Sequence, residues 1–490
     1  VSEVRDWLAS QSDRVIETSC AWVFLQGERA LKVKKPVDYG FLDFSTAEKR
    51  LWALRRELDF NRITAPDIYR EVRRITRDGA ALALDGRGEV VDYALEMRAF
   101  DPGGVLSEQP QRVDAALAER LGRLIARFHA AAAVNPDGGG VKALGFTIRT
   151  NAENLRRLAP KLGAAAVNDV IAATDAAFAA AAPLMERRRA EGFARRCHGD
   201  LHLGNILLEH DEPILFDCIE FNDLLSEIDV LYDVAFLVMD LDFRGRAEAA
   251  NRVLNAYLDE AARAFPPELW DGLAALPVML SARASVRTHV TAFQDDLETA
   301  RRYLATAARH LAPPPPTLTA IGGLSGTGKT TLARQVAPSL GAAPGAVILR
   351  SDEIRKRLAG VGPLERLPRS AYSRKSSVAV YDEMFALARR VLAAGHAVIL
   401  DAVYLTPAVR QAAEGVARDA GVPFRGVWLE GRPDELRRRL ATRTADASDA
   451  GPTVLDEQLG RDPGHMAWER LDAADLDTAA ARVAGGAAKN

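Results

Sequence analysis

Apolar positions recur along the chain with two different periods. Residues 21–25 (Ala-Trp-Val-Phe-Leu) form an apolar run, residues 26–29 are turn-forming, and residues 30–34 (Ala-Leu-Lys-Val-Lys) alternate with period two. This predicts a β-hairpin over residues 18–37, with Lys32 and Lys34 on one face and Leu31 and Val33 on the other. Residues 45–62 have helical spacing, with Ser45 as the expected N-cap and Glu48 three residues on, a capping-box pattern. Residues 68–73, 80–84 and 90–97 read as strands and lead into Asp101-Pro102-Gly103-Gly104, a hinge. From 111 to 195 the pattern is helical and alanine-rich, with Leu121, Leu124, Ile125 and Phe128 on one face, and helical spacing continues to residue 310. Four prolines at 313–316 then form a stiff, extended spacer. Behind them, short apolar runs at 317–321, 346–350, 397–401 and 423–429 alternate with helical stretches. The expected architecture is a bilobal α+β domain over residues 1–311, then a linker at 312–316, then an α/β domain with a parallel sheet over 317–490. The first domain divides into a β-rich small lobe, about 15–100, and a helical large lobe, about 101–311.

Composition changes this picture little. A chain of 490 residues exceeds one ordinary core, and 48% hydrophobic with 27% charged residues describes a globular protein. A net charge of −3 carries no overall nucleic-acid footprint. Three cysteines argue against a disulfide framework and for a reducing compartment, and Cys197 and Cys218 read as small core hydrophobes. Residues 1–10 read as an amphipathic helix, and no stretch is expected to reach the ~18–20 apolar residues that span a bilayer. A cytoplasmic protein without a membrane partner is the expectation.

The chemistry concentrates in two places. Residues 197–208 read Cys-His-Gly-Asp-Leu-His-Leu-Gly-Asn-Ile-Leu-Leu, and a strand-like run downstream ends at Asp217. Asp200 and Asn205 keep the separation found in H-R-D-x-x-x-x-N, with His198 at the His position and Gly199 replacing Arg. Such a set suits metal-assisted phosphoryl transfer, with one Asp for the acceptor hydroxyl and an Asn and a second Asp for magnesium. A strand lysine would hold nucleotide phosphates; Lys32 is favoured and Lys34 is the alternate. Glu57 is either that lysine's partner or a surface acid. The backbone of residues 96–98, centred on Met97, is placed to meet adenine. Glu220, Asp223, Glu227 and Asp229 offer an acidic surface to an acceptor, with Glu220 foremost, while Asp229 and Asp233 are read as buried partners or caps.

Residues 323–330 match G-x-x-x-x-G-K-S/T between a strand and a helix. The backbone of Gly323, Ser325, Gly326, Thr327, Gly328 and Thr331 would face phosphates, Lys329 would reach the β- and γ-phosphates, and Thr330 would bind magnesium. Asp352 is either an acceptor base or the cap of a helix beginning near Glu353, and Arg355 would bind acceptor or phosphate. Asp401, at the end of a buried strand, would act on magnesium. Arg439 and Arg443 share a helical face and would close over the phosphate as a lid.

On His198-Gly-Asp200-Leu-His202-Leu-Gly-Asn205, Asp217, Lys32 and Glu57, residues 15–310 resemble the aminoglycoside phosphotransferase and choline kinase superfamily, with its protein-kinase-like fold. The resemblance implies Asp200 as catalytic base, Asn205 and Asp217 as magnesium ligands, and Lys32 with Glu57 as the phosphate-binding pair. Leu203 departs from the proline common at that position. Residues 317–490 resemble P-loop kinases that phosphorylate hydroxyls, such as polynucleotide 5′-hydroxyl kinases, zeta-toxin-like kinases and gluconate kinases. The tandem resembles a bacterial group that pairs the two. It implies a bifunctional enzyme using ATP and Mg2+ on small-molecule hydroxyl acceptors. A nucleic-acid 5′-hydroxyl acceptor, contacted by Arg350, Arg355, Lys356, Arg357, Arg366, Arg369, Arg374 and Lys375, is the second reading and is not favoured; nucleotide sensing without transfer is the third.

Overall fold

In the computed structural model, which describes residues 2–40, 42–442 and 447–485, the predicted hairpin lies inside a larger sheet. Strands β1 (Arg14–Glu17), β2 (Ala21–Gln26), β3 (Arg29–Lys34), β4 (Tyr69–Asp78), β5 (Ala81–Leu84) and β6 (Glu89–Arg98) form a six-stranded antiparallel sheet in the order β1-β2-β3-β6-β4-β5. Alternation along β3 separates two cores. Leu31 and Val33 pack with Phe24, Ile75 and Ala94 under Val4 and Leu8 of helix Ser2–Ala9. Ala30, on the lysine face, packs with Leu54, Leu95 and Met97. Helix Ala47–Thr64 covers that face. Its N-cap is Thr46 rather than Ser45, because the Thr46 hydroxyl accepts the Lys49 N–H while Ser45 is held by Asp43. Arg50 ties the helix to β6 through a buried two-pronged ion pair with Asp92, at 3.0 and 2.9 Å.

These elements belong to the first of two compact units, which comprises the chain up to Val113 with Ala131–Thr147 and Arg189–Leu237. Its later part contains β7 (Ala194–Arg196), the hairpin β8 (Ile206–Glu209) and β9 (Glu212–Leu215), and β10 (Glu227–Asp229), which pairs with β7. The β8–β9 turn residues His210 and Asp211 both have positive φ, as a two-residue turn between twisted strands requires.

The second unit takes Asp114–Ala130, Ile148–Arg188 and the chain from Val238 on. It holds a five-stranded parallel sheet, β12-β13-β11-β14-β15, formed by β11 (Leu318–Gly323), β12 (Val347–Arg350), β13 (Val398–Asp401), β14 (Phe424–Glu430) and β15 (Glu469–Asp472). β15 is absent from the sequence expectation because Glu-Arg-Leu-Asp is a short, charged edge strand without an apolar run. β12 is the other edge. Helix Ala247–Ala261 lies against it: Asn251 donates to Ala346 O at 3.0 Å, and Asn255 Oδ1 accepts the Ile348 N–H at 2.7 Å. Helix Ala164–Ala190 is, among the described residues, the one helix long and apolar enough to cross a membrane. This departs from the expectation that none would qualify; alanine supplies its apolar character, and Val167, Val170 and Ile171 are buried.

Asp92→Ala strands the Arg50 guanidinium inside the first unit and is expected to cost about 3–5 kcal/mol, whereas the paired Arg50→Met/Asp92→Leu change recovers most of it. Urea denaturation read by tryptophan fluorescence checks both.

Candidate active sites

In the first unit, the two lysines of β3 sit on the two oxygens of one carboxylate. Lys32 Nζ lies 2.6 Å from Glu57 Oε1 and 2.8 Å from Asp217 Oδ1. Lys34 Nζ stands 2.6 Å from Glu57 Oε2, an ion pair without aligned hydrogen-bond geometry, and 2.6 Å from Glu220 Oε1. The charges therefore alternate along Glu220–Lys34–Glu57–Lys32–Asp217. Glu57 is fully buried and Lys34 is 2% exposed, while the Asp217 side chain at the open end is 45% exposed. Burial pushes both lysines down, but Asp217 and Glu57 at Lys32, and Glu220 and Glu57 at Lys34, outweigh it and hold both ammonium groups charged. Burial pushes the Asp217 carboxyl up, and Lys32 more than reverses that. Glu220, expected to face an acceptor, is buried against Lys34; burial raises its pKa. Met97 lies in the apolar cluster beneath the sheet.

The 197–208 stretch folds as a tight loop around Asp200. Asp233 accepts the backbone N–H groups of His198 and Gly199 at 3.0 and 2.8 Å, and Asp229, at the end of β10 rather than in a helix, accepts that of Leu231; both are buried. Gly199 has φ +85°, and a Cβ there would meet Leu225 O at 2.7 Å, which explains glycine at this position. His198 Nδ1 receives the Asp200 N–H and its Nε2 faces Phe216 O at 2.9 Å, which assigns the Nε2–H tautomer; burial pushes its pKa down, consistent with a neutral ring. Asn205 Nδ2 donates to Asp200 Oδ2 at 3.0 Å, and His202 Nε2 lies 3.4 Å from the same oxygen. Because β8 and β9 pair with Ile206 opposite Leu215, Asn205 and Asp217 flank one hairpin, and Asn205 O accepts the Phe216 N–H at 3.1 Å. Asp217 has φ +61°, a left-handed conformation stabilised by its N–H donating to the Tyr69 hydroxyl and by the next N–H, of Cys218, donating to Asn61 Oδ1. Tyr69 and Asn61 escaped sequence reading because nothing local marks them; only the fold brings them to Asp217.

In the second unit, β11 and helix Lys329–Val336 bracket the glycine-rich loop. Gly323, Gly326 and Gly328 all have positive φ. Lys329 Nζ donates to Leu324 O at 3.0 Å, the Thr327 hydroxyl donates to the same oxygen, and Thr330 Oγ1 donates to Asp401 Oδ2 at 2.5 Å. Thr331 is exposed and Ser325 is buried. Gln458 Oε1 accepts the Ser325 N–H at 2.8 Å, a contact across 133 residues that no sequence signal announced. Burial raises the Asp401 pKa, opposed by Arg350 at 3.5 Å. A carboxylate and a hydroxyl at this spacing are hard oxygen donors of the kind magnesium takes, as are Asn205 and Asp217 in the first unit.

Asp352 lies in helix Ser351–Leu358, whose N-cap is Arg350; its carboxylate forms no hydrogen bond or ion pair with the described residues, so it is not the cap. Arg355 donates to Ala371 O at 2.7 Å and stacks on Tyr372. Of the expected lid, the Arg439 guanidinium is held by Ala473 O and by Glu435 one turn earlier in its own helix, and Arg443 lies outside the described residues. Of the basic track, Arg350, Lys356 and Arg357 pair with Asp401 and Glu353, Asp449, and Asp259 respectively. Arg366, Arg369, Arg374 and Lys375 remain exposed.

Residues 46–276 match the Phosphotransferase enzyme family, and residues 318–461 match an AAA domain family. The uncharacterized protein Rv2004c of Mycobacterium tuberculosis H37Rv is 32% identical over 471 residues, which cover 94% of this chain and 92% of that protein. Mb2027c of Mycobacterium bovis matches to the same extent. Among solved structures, choline kinase from Cryptosporidium parvum Iowa II aligns at 11% identity over 64% of this chain and 95% of its own, with a TM-score of 0.41. A gluconokinase from Sinorhizobium meliloti 1021 aligns at 22% over 36% and 93%, with a TM-score of 0.25.

Replacing Lys32 by Met removes the charge that holds Asp217 down and leaves the burial that pushes it up. The Asp217 carboxyl is therefore expected to titrate higher in that variant than in the parent, read by carbon-detected NMR titration. In the parent, Asp217 correspondingly stabilises the fold above the ordinary carboxylate range and loses that contribution as pH falls through its depressed pKa.

Proposed function

The chain belongs to the family of the mycobacterial protein Rv2004c and is an ATP-dependent kinase, and from that premise we propose that it carries two phosphotransferase sites, each moving the γ-phosphate of ATP to a hydroxyl of a small molecule. The observation that carries the reading is a shared one. Each unit has a lysine, a carboxylate at or just beyond a strand end and a further oxygen-bearing side chain on the adjoining segment: Lys32, Asp217 and Asn205 in one, Lys329, Asp401 and Thr330 in the other.

In the first site Lys32, braced by Glu57, binds the nucleotide phosphates. Asp200, oriented by Asn205 and His202, accepts the proton of the acceptor hydroxyl as the oxygen attacks. Asn205 and Asp217 hold Mg2+, which neutralises charge on the transferring group when bound. In the second site the backbone of residues 323–331 cradles the phosphates and Lys329 leaves Leu324 O to reach them. Thr330 and Asp401 hold Mg2+, and Asp352, uncommitted within its helix, takes the acceptor proton. Arg355, held by Ala371 O and the Tyr372 ring, binds the acceptor. Positioning and charge neutralisation are what this chemistry asks of a protein.

With γ-labelled ATP and a small-molecule extract as acceptor source, Asp200→Asn and Lys329→Ala should each remove a different labelled product, by about 10²–10⁴-fold for the Asp200 change. The double variant should remove both. An unchanged product set in Asp200→Asn refutes transfer at the first site, and the same result in Lys329→Ala refutes it at the second.

A further inference from the structure

The acidic side of the P-loop site is connected to two helices that precede it, one by some two hundred residues and one by about sixty. Asp401, which accepts from Thr330, is 3.5 Å from Arg350 Nε; Arg350 Nη1 is 2.8 Å from Glu353 Oε1; and Glu353 Oε1 is 4.0 Å from Arg123 Nη2. Arg123 is in turn held by Asp259 and Glu260, both at 3.3 Å. Asp259 also faces Arg357 at 3.7 Å, one helical turn after Glu353. Helix Ser351–Leu358 therefore has two ionic anchors, Glu353 and Arg357, in the helical layer of the same unit. The groups are buried: Arg350 is 7% exposed and Glu353 9%. Burial pushes the Glu353 carboxyl up, but Arg350 and Arg123 more than offset this and keep it ionised.

A buried carboxylate between two guanidinium groups has a steep positional preference, because displacement toward either side leaves a charge uncompensated in a poorly solvated place. Asp352 is the residue immediately before Glu353, and Arg350 lies three before it. We propose that Arg123 is a positioning residue for the P-loop site: acting through Glu353, it fixes helix Ser351–Leu358 and so sets where Asp352 and the Arg350–Asp401 contact lie. The inference rests on the reading of that site as a phosphotransferase centre. Lys329 and the loop backbone, which would bind the nucleotide phosphates, form none of these ion pairs, so Arg123 acts more on the chemical step than on nucleotide affinity.

The test uses the full chain with Lys32→Met and Asp200→Asn, so that only the second site turns over. ADP formation from Mg-ATP, with the same extract as acceptor source, is normalised to nucleotide sites counted by equilibrium ATP binding. Arg123→Gln is expected to lower kcat per site by about tenfold or more, with KM for ATP held within about twofold. Arg123→Lys, which keeps the charge, should recover most of the loss. Glu353→Gln should show a similar fall, and the double variant should be no worse than about twofold below the poorer single one, since both changes break one link. Arg425→Gln, which breaks the remote Arg425–Glu469 ion pair between β14 and β15, should leave kcat unchanged. Unchanged kcat per site in Arg123→Gln, multiplying losses in the double variant, or an equal fall in Arg425→Gln overturns the proposal. Where Arg123→Gln does not fold, Arg123→Lys against Glu353→Gln carries the same comparison. If Lys329→Ala leaves ADP formation in this background unchanged, the phosphotransferase reading falls, and the positioning role with it.

Discussion

A carboxylate buried between two lysines is the constraint on which the first unit depends. Glu57 has no access to water, so its charge is tolerated only because Lys32 and Lys34 each take one of its oxygens. That requirement fixes the register of β3 against helix Ala47–Thr64, since a slip of one residue would put Leu31 and Val33 against the acid and both lysines into the apolar core. The division of Glu57 also has a chemical side. Lys34 occupies the second oxygen, so Lys32 takes only one oxygen of Glu57 and has donors left for Asp217.

The second unit reaches a comparable arrangement through backbone rather than side chains. Parallel pairing sets Ile321 opposite Asp401 and Arg350 opposite Asp401 on the two sides of β13. The strand ends thus deliver the P-loop, Asp401 and helix Ser351–Leu358 to one edge of the sheet without any long-range search by flexible side chains. Glycines at positive φ allow the loop to turn back before helix Lys329–Val336, leaving the helix N-terminus open toward an anion. The two units thus assemble a lysine and a carboxylate from opposite starting materials.

Local pattern was enough to read much of this. Alternation in residues 30–34 put both lysines on one face, and the spacing of His198, Asp200 and Asn205 marked the loop that the structure builds around Asp200. The glycine-rich loop was legible because its turns need glycine at positive φ, at Gly323, Gly326 and Gly328. What stayed hidden depends on tertiary neighbours. Glu220 looked like a surface acid until Lys34 was seen to need it; the partners of Arg439, Ala473 O and Glu435, were not foreseen; Tyr69, Asn61 and Gln458 bear no local mark at all. Thr46 displaced Ser45 as the helix cap because hydroxyl geometry, not residue type, decides between neighbouring candidates.

The Asn255 contact at the sheet edge bears on the order in which the chain is made. β12 is the outermost strand on its side, and an open parallel edge is a template for unwanted pairing with other chains. Helix Ala247–Ala261 leaves the ribosome about a hundred residues before β12, as judged from their positions in the chain. Its asparagines are thus available to the strand as it emerges, and the edge is capped from within the same nascent polypeptide. Synthesis in the N-to-C direction therefore presents the cap before the strand it protects.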